Sequence, residues 1–176
     1  MAREGFEDYN RHKSDTEMNK TKCFVYKQQK MRETTWANLQ VGDIIKIKDD
    51  DFFPSDIIPL TSGIKGGACY IETGSLDGEK NLKLKNCPVE TAKLYHMGKT
   101  PTRAEISVQA PPPDPFIYEF NNASMRIENY YEFNRKIIQL TSKNLLPRGA
   151  KLKNSSFIIG IIVYTGRDTK IMQNSE

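Results

Sequence analysis

Two carboxylates stand on either side of one glycine in Thr73-Gly-Ser-Leu-Asp77-Gly78-Glu79-Lys80, directly after a strand-like segment. A carboxylate can hold and polarise a water, and glycine lets a loop approach a partner closely through backbone angles that other residues resist. The pattern reads as a loop tip that reaches outward to activate water. Asp-Gly is equally a common turn dipeptide, so these three residues alone leave a purely structural turn open beside the catalytic reading.

The elements that must position this loop are short and β-rich. Cys23-Phe-Val-Tyr26, Glu33-Thr-Thr-Trp36 and Asp43-Ile-Ile-Lys-Ile-Lys48 are strand-like pieces separated by turns, with Val41-Gly42-Asp43 as the turn before the third. Pro54 stops one strand, Ile57-Ile-Pro-Leu60 begins the next, and Ala68-Cys-Tyr-Ile-Glu72 leads into the loop with Glu79. Lys151 to Tyr164 returns to strands, followed by a turn over Thr165 to Lys170 and a short polar tail, 171–176. Residues 86–145 differ in texture: a helical pattern from about Val89 to Met97, a Pro-rich stretch at 110–115, then β-like text around Phe116 to Phe120 and Tyr130 to Phe133. They read as an inserted α+β segment. Residues 3–20 are charged with sparse apolar positions, which suits a solvent-facing helical connector over 1–20. The fold class expected is mainly β, a β-sandwich or distorted jelly roll over 21–170.

Composition bounds the chemistry. At 176 residues, with 38% hydrophobic and 27% charged, the chain can bury a real core as one domain. Cys23, Cys69 and Cys87 form no Cys-x-x-Cys pair and His12 and His96 stand apart, which argues against a zinc site or a disulfide framework and fits a reducing, cytosolic setting. The longest apolar run, Phe157 to Tyr164, falls far short of the ~20 residues of a membrane-spanning helix. A net charge of +4 is too small and dispersed to imply nucleic acid, and the lysine stretches lack the interleaved aromatics that stack bases. Lys83/Lys85 and Lys151/Lys153 recur with period two, as the solvated face of a strand does. Pro54, Asp56, Gly149 and Gly166 sit at turns and read as structural.

Several segments, in order, resemble the actuator domain of P-type ATPases of the phospholipid flippase (type IV) subfamily. They are Val41-Gly-Asp-Ile-Ile-Lys-Ile, Phe52-Phe-Pro-Ser-Asp56, Cys69-Tyr-Ile-Glu-Thr73, Leu76-Asp-Gly-Glu-Lys-Asn-Leu-Lys83, Leu146-Pro-Arg-Gly149, Leu152-Lys-Asn-Ser155 and Val163-Tyr-Thr-Gly-Arg-Asp-Thr-Lys170. The opening from Arg3 to Asp15 resembles the flippase segment that leaves the second membrane helix, and Asp168 to Ser175 the approach to the third. Residues 86–145 match loosely, through the Pro-Pro stretch and Tyr118-Glu-Phe120.

This resemblance implies a cytosolic loop of an integral membrane pump. Flippases phosphorylate an aspartate on a separate domain and hydrolyse that acyl phosphate while a phospholipid changes leaflet. Glu79 inherits the role of positioning and deprotonating the attacking water, and Asp77 and Gly78 shape the loop that carries it. The two anions should repel unless water and magnesium lie between them, so docking is expected to need rotation of the whole domain. ATP, Mg2+ and the lipid belong to the rest of the parent protein; no cofactor or metal is expected on this fragment, which alone should be inactive. Its implied partners are the phosphorylation and nucleotide-binding domains of the same chain and, further out, an accessory subunit. Two positions depart from the family. Lys80 replaces the usual Thr, and Gly74-Ser75 replaces Ala-Asn. An ammonium at Lys80 could assist docking or hold the loop in an unproductive pose, slowing dephosphorylation. The departure also admits a degenerate flippase-like regulatory module without pump activity, for example fused to a guanylate cyclase.

Overall fold

The computed structural model describes residues 17–103, 105–133 and 136–175. Of the expected connector, residues 1–16 lie outside this range and 17–19 are helical.

Among the described residues eleven strands form three antiparallel sheets. The central sheet runs in the order β2-β1-β3-β11-β4. Its strands are β1 (Lys22–Lys27), β2 (Lys30–Thr35), β3 (Ile44–Lys48), β4 (Asp56–Ser62) and β11 (Phe157–Tyr164). Alternation decides which faces are buried: Cys23 and Val25 of β1 point inward between exposed neighbours. The apolar run of β11 needs cover on both faces and receives it. Pro59, which has no N–H to give, lies in β4 at the edge of the sheet.

Each face of the central sheet carries its own core. On one side Ile45, Ile47, Ile57, Ile158 and Ile162 pack with Cys69, Ile71 and Leu152 of the second sheet. That sheet has the order β10-β5-β6, from β5 (Ala68–Glu72), β6 (Lys83–Asn86) and β10 (Lys151–Lys153). On the other side Ile44, Ile58, Leu60, Ile161 and Val163 pack with Leu94, Phe120, Met125 and Leu140. These last belong to residues 86–145, which contribute β7 (Ile106–Gln109), β8 (Ala123–Ile127) and β9 (Ile138–Leu140) as the third sheet. The chain is mainly β, a layered sandwich, as expected from its turns and short strands.

Among the described residues, besides the helical residues 17–19, three helices complete it: α1 (Gly74–Asp77), α2 (Val89–His96) and α3 (Lys170–Asn174). The helical pattern around Val89 becomes α2. The β-like text at Phe116 to Phe120 and Tyr130 to Phe133 forms turns instead, and the strands lie to either side of it. Prolines at 111–113 and 115 cannot donate to a ladder, which displaces the strands. The last residue of the expected turn, Lys170, is fully buried and opens α3, which takes in 171–174 of the expected polar tail.

The solvated-face reading of Lys83 and Lys85 is corrected. Lys83 pairs with Ile71 and Lys85 with Cys69, both wholly buried, and directly paired residues share a face of the sheet. The two lysines therefore sit on the inner face of an edge strand, while Leu84 between them is exposed. Inward-pointing charge at an edge blocks further strand pairing. Lys151 and Lys153 flank the buried Leu152 and face away from the core, where Lys153 meets Asp50.

Candidate functional site

Strand β5 ends at Glu72, and the next residue, Thr73, is fully buried. From it the four residues of α1 rise as a single turn, and Gly78 ends that turn with φ +77°, a left-handed angle natural to glycine. The outward loop expected from sequence is thus a helical turn plus a glycine cap, with Glu79 just beyond.

Asp77 is the hub. Its carboxylate accepts from the Thr73 hydroxyl at 3.1 and 3.2 Å, from the Glu79 backbone N–H at 2.9 Å, from Lys83 Nζ at 3.3 Å, and from the Tyr118 hydroxyl. The Tyr118 hydrogen bond, then the Glu79 N–H, hold this carboxyl well below the usual carboxylate range. Lys83 bridges both acids, lying 3.1 Å from Glu79 Oε2, with its ammonium 4.1 Å from the centre of the Tyr118 ring. Burial works against that ammonium, but its bonds to Glu79 and Asp77 outweigh burial and raise its pKa. Glu79 keeps 59% of its side chain exposed.

The turn rests on a second one. Ser75 Oγ donates to the carbonyl of Gly149 at 2.9 Å, and Leu76 packs on the core beneath the central sheet. Gly149 has φ +91°, and a Cβ there would stand 2.9 Å from Leu76 Cδ2. Buried Asp56 fixes that second turn by accepting from the N–H of Arg148 at 2.9 Å and of Lys170 at 2.8 Å.

Among the described residues no group of three or more His, Cys, Asp or Glu is placed to hold a metal, and the two acids of the loop already face an ammonium. The cysteines are buried and free, and burial pushes the Cys23 and Cys69 thiols up to about 11 and 12, which removes them as nucleophiles. A cleft of about 720 Å³ between residues 61–67 and α2 lies apart from Asp77 and Glu79.

No family model matches the chain. Among curated proteins it is 37% identical to "Probable phospholipid-transporting ATPase 4" of Arabidopsis thaliana, over 99% of this chain and 14% of that protein. It is 37% identical to "Phospholipid-transporting ATPase C887.12" of Schizosaccharomyces pombe, over 98% of this chain and 13% of that one. Over nearly its whole length, the chain's homologues are thus phospholipid-transporting ATPases. The chain spans about one-seventh (14%) of the length of these relatives. These names give no support to the regulatory-module alternative. A zinc-transporting PIB-type ATPase in the E2.Pi state aligns with 89% of this chain and 16% of its own at 10% identity and a TM-score of 0.48, too loose a likeness to bear on the fold.

Asp77, Gly78 and Glu79 lie together at the end of α1, with Asp77 Oδ1 accepting from the Glu79 N–H. Lys80 is exposed, and the ammonium on Glu79 is that of Lys83. Thr73, Lys83 and Tyr118 escaped sequence reasoning as site residues. The four-residue spacing from Glu79 to Lys83 was a usable hint, whereas Tyr118 lies 41 positions from Asp77 and left none.

Proposed function

We propose that this domain promotes hydrolysis of the aspartyl-phosphate intermediate of a phospholipid-translocating ATPase, with Glu79 positioning and deprotonating the attacking water. The observation that carries this reading is an exposed carboxylate at the end of a turn whose neighbouring groups are pinned, Asp77 by several donors and Ser75 by Gly149. A catalytic base must be presented from a fixed platform to be useful. In the step, the water oxygen attacks phosphorus, Glu79 takes the water's proton, and the bond from phosphorus to the aspartyl oxygen breaks. Free aspartate and inorganic phosphate remain.

Charge explains why the step belongs to one transport state. Two unit anions 4 Å apart repel by about 4 kcal/mol near a protein surface, so Glu79 does not drift onto a phosphorylated partner unaided. Rotation of the whole domain supplies the approach, which ties hydrolysis to lipid movement. The domain sits on the cytosolic side of the membrane, against the phosphorylation and nucleotide-binding domains of its parent, where ATP and Mg2+ bind. Lipid and any accessory subunit are met by the membrane part.

The test is phosphoenzyme decay in the full-length protein. Glu79→Gln should form phosphoenzyme from ATP normally and lose it at least about a hundredfold more slowly, with lipid no longer speeding the loss. Decay at the wild-type rate would overturn the reading. In the same assay Lys80→Thr is expected to decay faster, since Lys80 stands where the family has Thr, and an unchanged rate would remove Lys80 as a modulator.

A further inference from the structure

Resting on that reading of Glu79, we infer that Tyr118 is a positioning residue for the hydrolysis step, holding the Asp77 carboxylate and, through it, the backbone that carries Glu79. The argument begins at Gly78. Among the described residues no atom outside its chain neighbours lies within 4 Å of where its Cβ would be, so no side-chain packing braces the chain at Gly78 itself. The bond that fixes the Gly78–Glu79 peptide is the one from the Glu79 N–H to Asp77 Oδ1, at 2.9 Å. The orientation of one carboxylate therefore sets the backbone from which the Glu79 side chain, itself met by Lys83, extends.

What orients that carboxylate is unequal in kind. Thr73 holds it from below. Lys83 and Tyr118 both reach Oδ2, but Lys83 is shared with Glu79, at 3.1 Å. When Glu79 engages water beside a phosphate, the ammonium is drawn toward the new negative charge and its hold on Asp77 loosens. Tyr118 is neutral and is not shared with Glu79. It keeps the carboxylate in place without adding a cation that would compete for the phosphate. Burial and the Asp77 bond both raise its pKa, which keeps the proton on the donor.

Tyr118 is itself held from both sides. Upstream, Asp114 accepts from the wholly buried Lys170 at 2.7 Å and from the Phe116 N–H at 2.9 Å, and Asn174 of α3 donates to the Pro115 carbonyl at 3.0 Å. Downstream, Phe120 is buried in the core shared with the third sheet. The backbone that carries the phenol is ordered before any docking, so little entropy is lost in making the bond.

The experiment uses the full-length protein and compares wild type, Tyr118→Phe, Asp77→Asn, the double variant and Glu79→Gln. Phe keeps the ring over Lys83 and removes only the hydroxyl. Tyr118→Phe should slow phosphoenzyme decay about tenfold, the loss of one charge-assisted hydrogen bond, while formation from ATP keeps its wild-type rate. On the Asp77→Asn background it should add nothing, because its action runs through that carboxylate. Wild-type decay in Tyr118→Phe alongside a trapped Glu79→Gln overturns the inference and leaves the role of Glu79 standing. Formation and decay falling together, or effects that add to Asp77→Asn, also overturn it in favour of general packing. If Glu79→Gln is not trapped, the reading beneath has failed and this inference falls with it.

Discussion

Asp56 and Asp77 each gather a turn around one carboxylate, in opposite surroundings. Asp56 is fully buried and accepts two backbone N–H groups, from Arg148 and Lys170. Burial pushes its pKa up to about 6, against the pull of those same bonds. Asp77 stands at the surface, where desolvation is slight and its donors win, holding its carboxyl below the ordinary range. Similar hydrogen bonding thus gives opposite shifts, and solvent decides the sign. The buried hub costs stability when ionised and fixes the turn at Arg148; the surface hub favours its charge and, on the proposed reading, aims Glu79.

The largest test strikes the buried hub. Asp56→Ala takes the carboxylate acceptor from the buried Lys170 N–H and the partly buried Arg148 N–H and should cost about 3 kcal/mol in urea unfolding at neutral pH. The pH dependence sharpens the contrast. Because the folded pKa of Asp56 lies above its unfolded value of ~4, the proton-linked part of its contribution is full below pH ~4 and is lost as pH rises through about 6, while its role as acceptor for the two N–H groups remains. Asp77, with a depressed folded pKa, contributes above pH ~4 and loses that contribution as pH falls further. Carboxyl-carbon NMR should find the Asp56 midpoint near 6 and that of Asp77 below the usual range. Two ordinary midpoints would end the comparison.

A smaller effect is expected where the two hubs touch. Gly149 lies on the turn that Asp56 fixes, and a Cβ at φ +91° would press on Leu76 of α1. Gly149→Ala should cost about 2 kcal/mol through backbone strain and displacement of Leu76. It should also slow phosphoenzyme decay in the parent protein, since the platform moves. A loss of stability with unaltered decay would show that Leu76 does not transmit the shift to Glu79.

Much of this was legible in local sequence, and the rest failed for identifiable reasons. Strands β3, β5 and β11 follow from short apolar runs bounded by turn residues, and α2 from its period. Asp77, Gly78 and Glu79 were legible because their chemistry is contiguous. The lysines of β6 were misplaced because a period of two says which residues share a face but not which face is buried. Only the pairing of Lys85 with Cys69 settles that. Lys170 read as the last residue of a turn, since nothing nearby in sequence announces Asp114 as its partner. Tyr118 is the clearest limit. It reaches Asp77 from a turn where periodicity carries no signal.

The smallest predicted effect bears most directly on what the surface hub is for. Lys83 bridges Glu79 and Asp77, yet Glu79 is 59% exposed and the pair is open to salt. Lys83→Met should change unfolding stability by less than about 1 kcal/mol, and that difference should vanish in 1 M salt, where screening acts within ~3 Å. Asp77 would keep Thr73, the Glu79 N–H and Tyr118, so the turn should hold its shape. A cost above about 2 kcal/mol, insensitive to salt, is the size expected of a buried pair and would make Asp77 a structural hub of the same kind as Asp56. A small, screened cost is what a site needs if its ammonium must leave Glu79 whenever a phosphate arrives, because a bond that stabilised the resting domain strongly would oppose every docking.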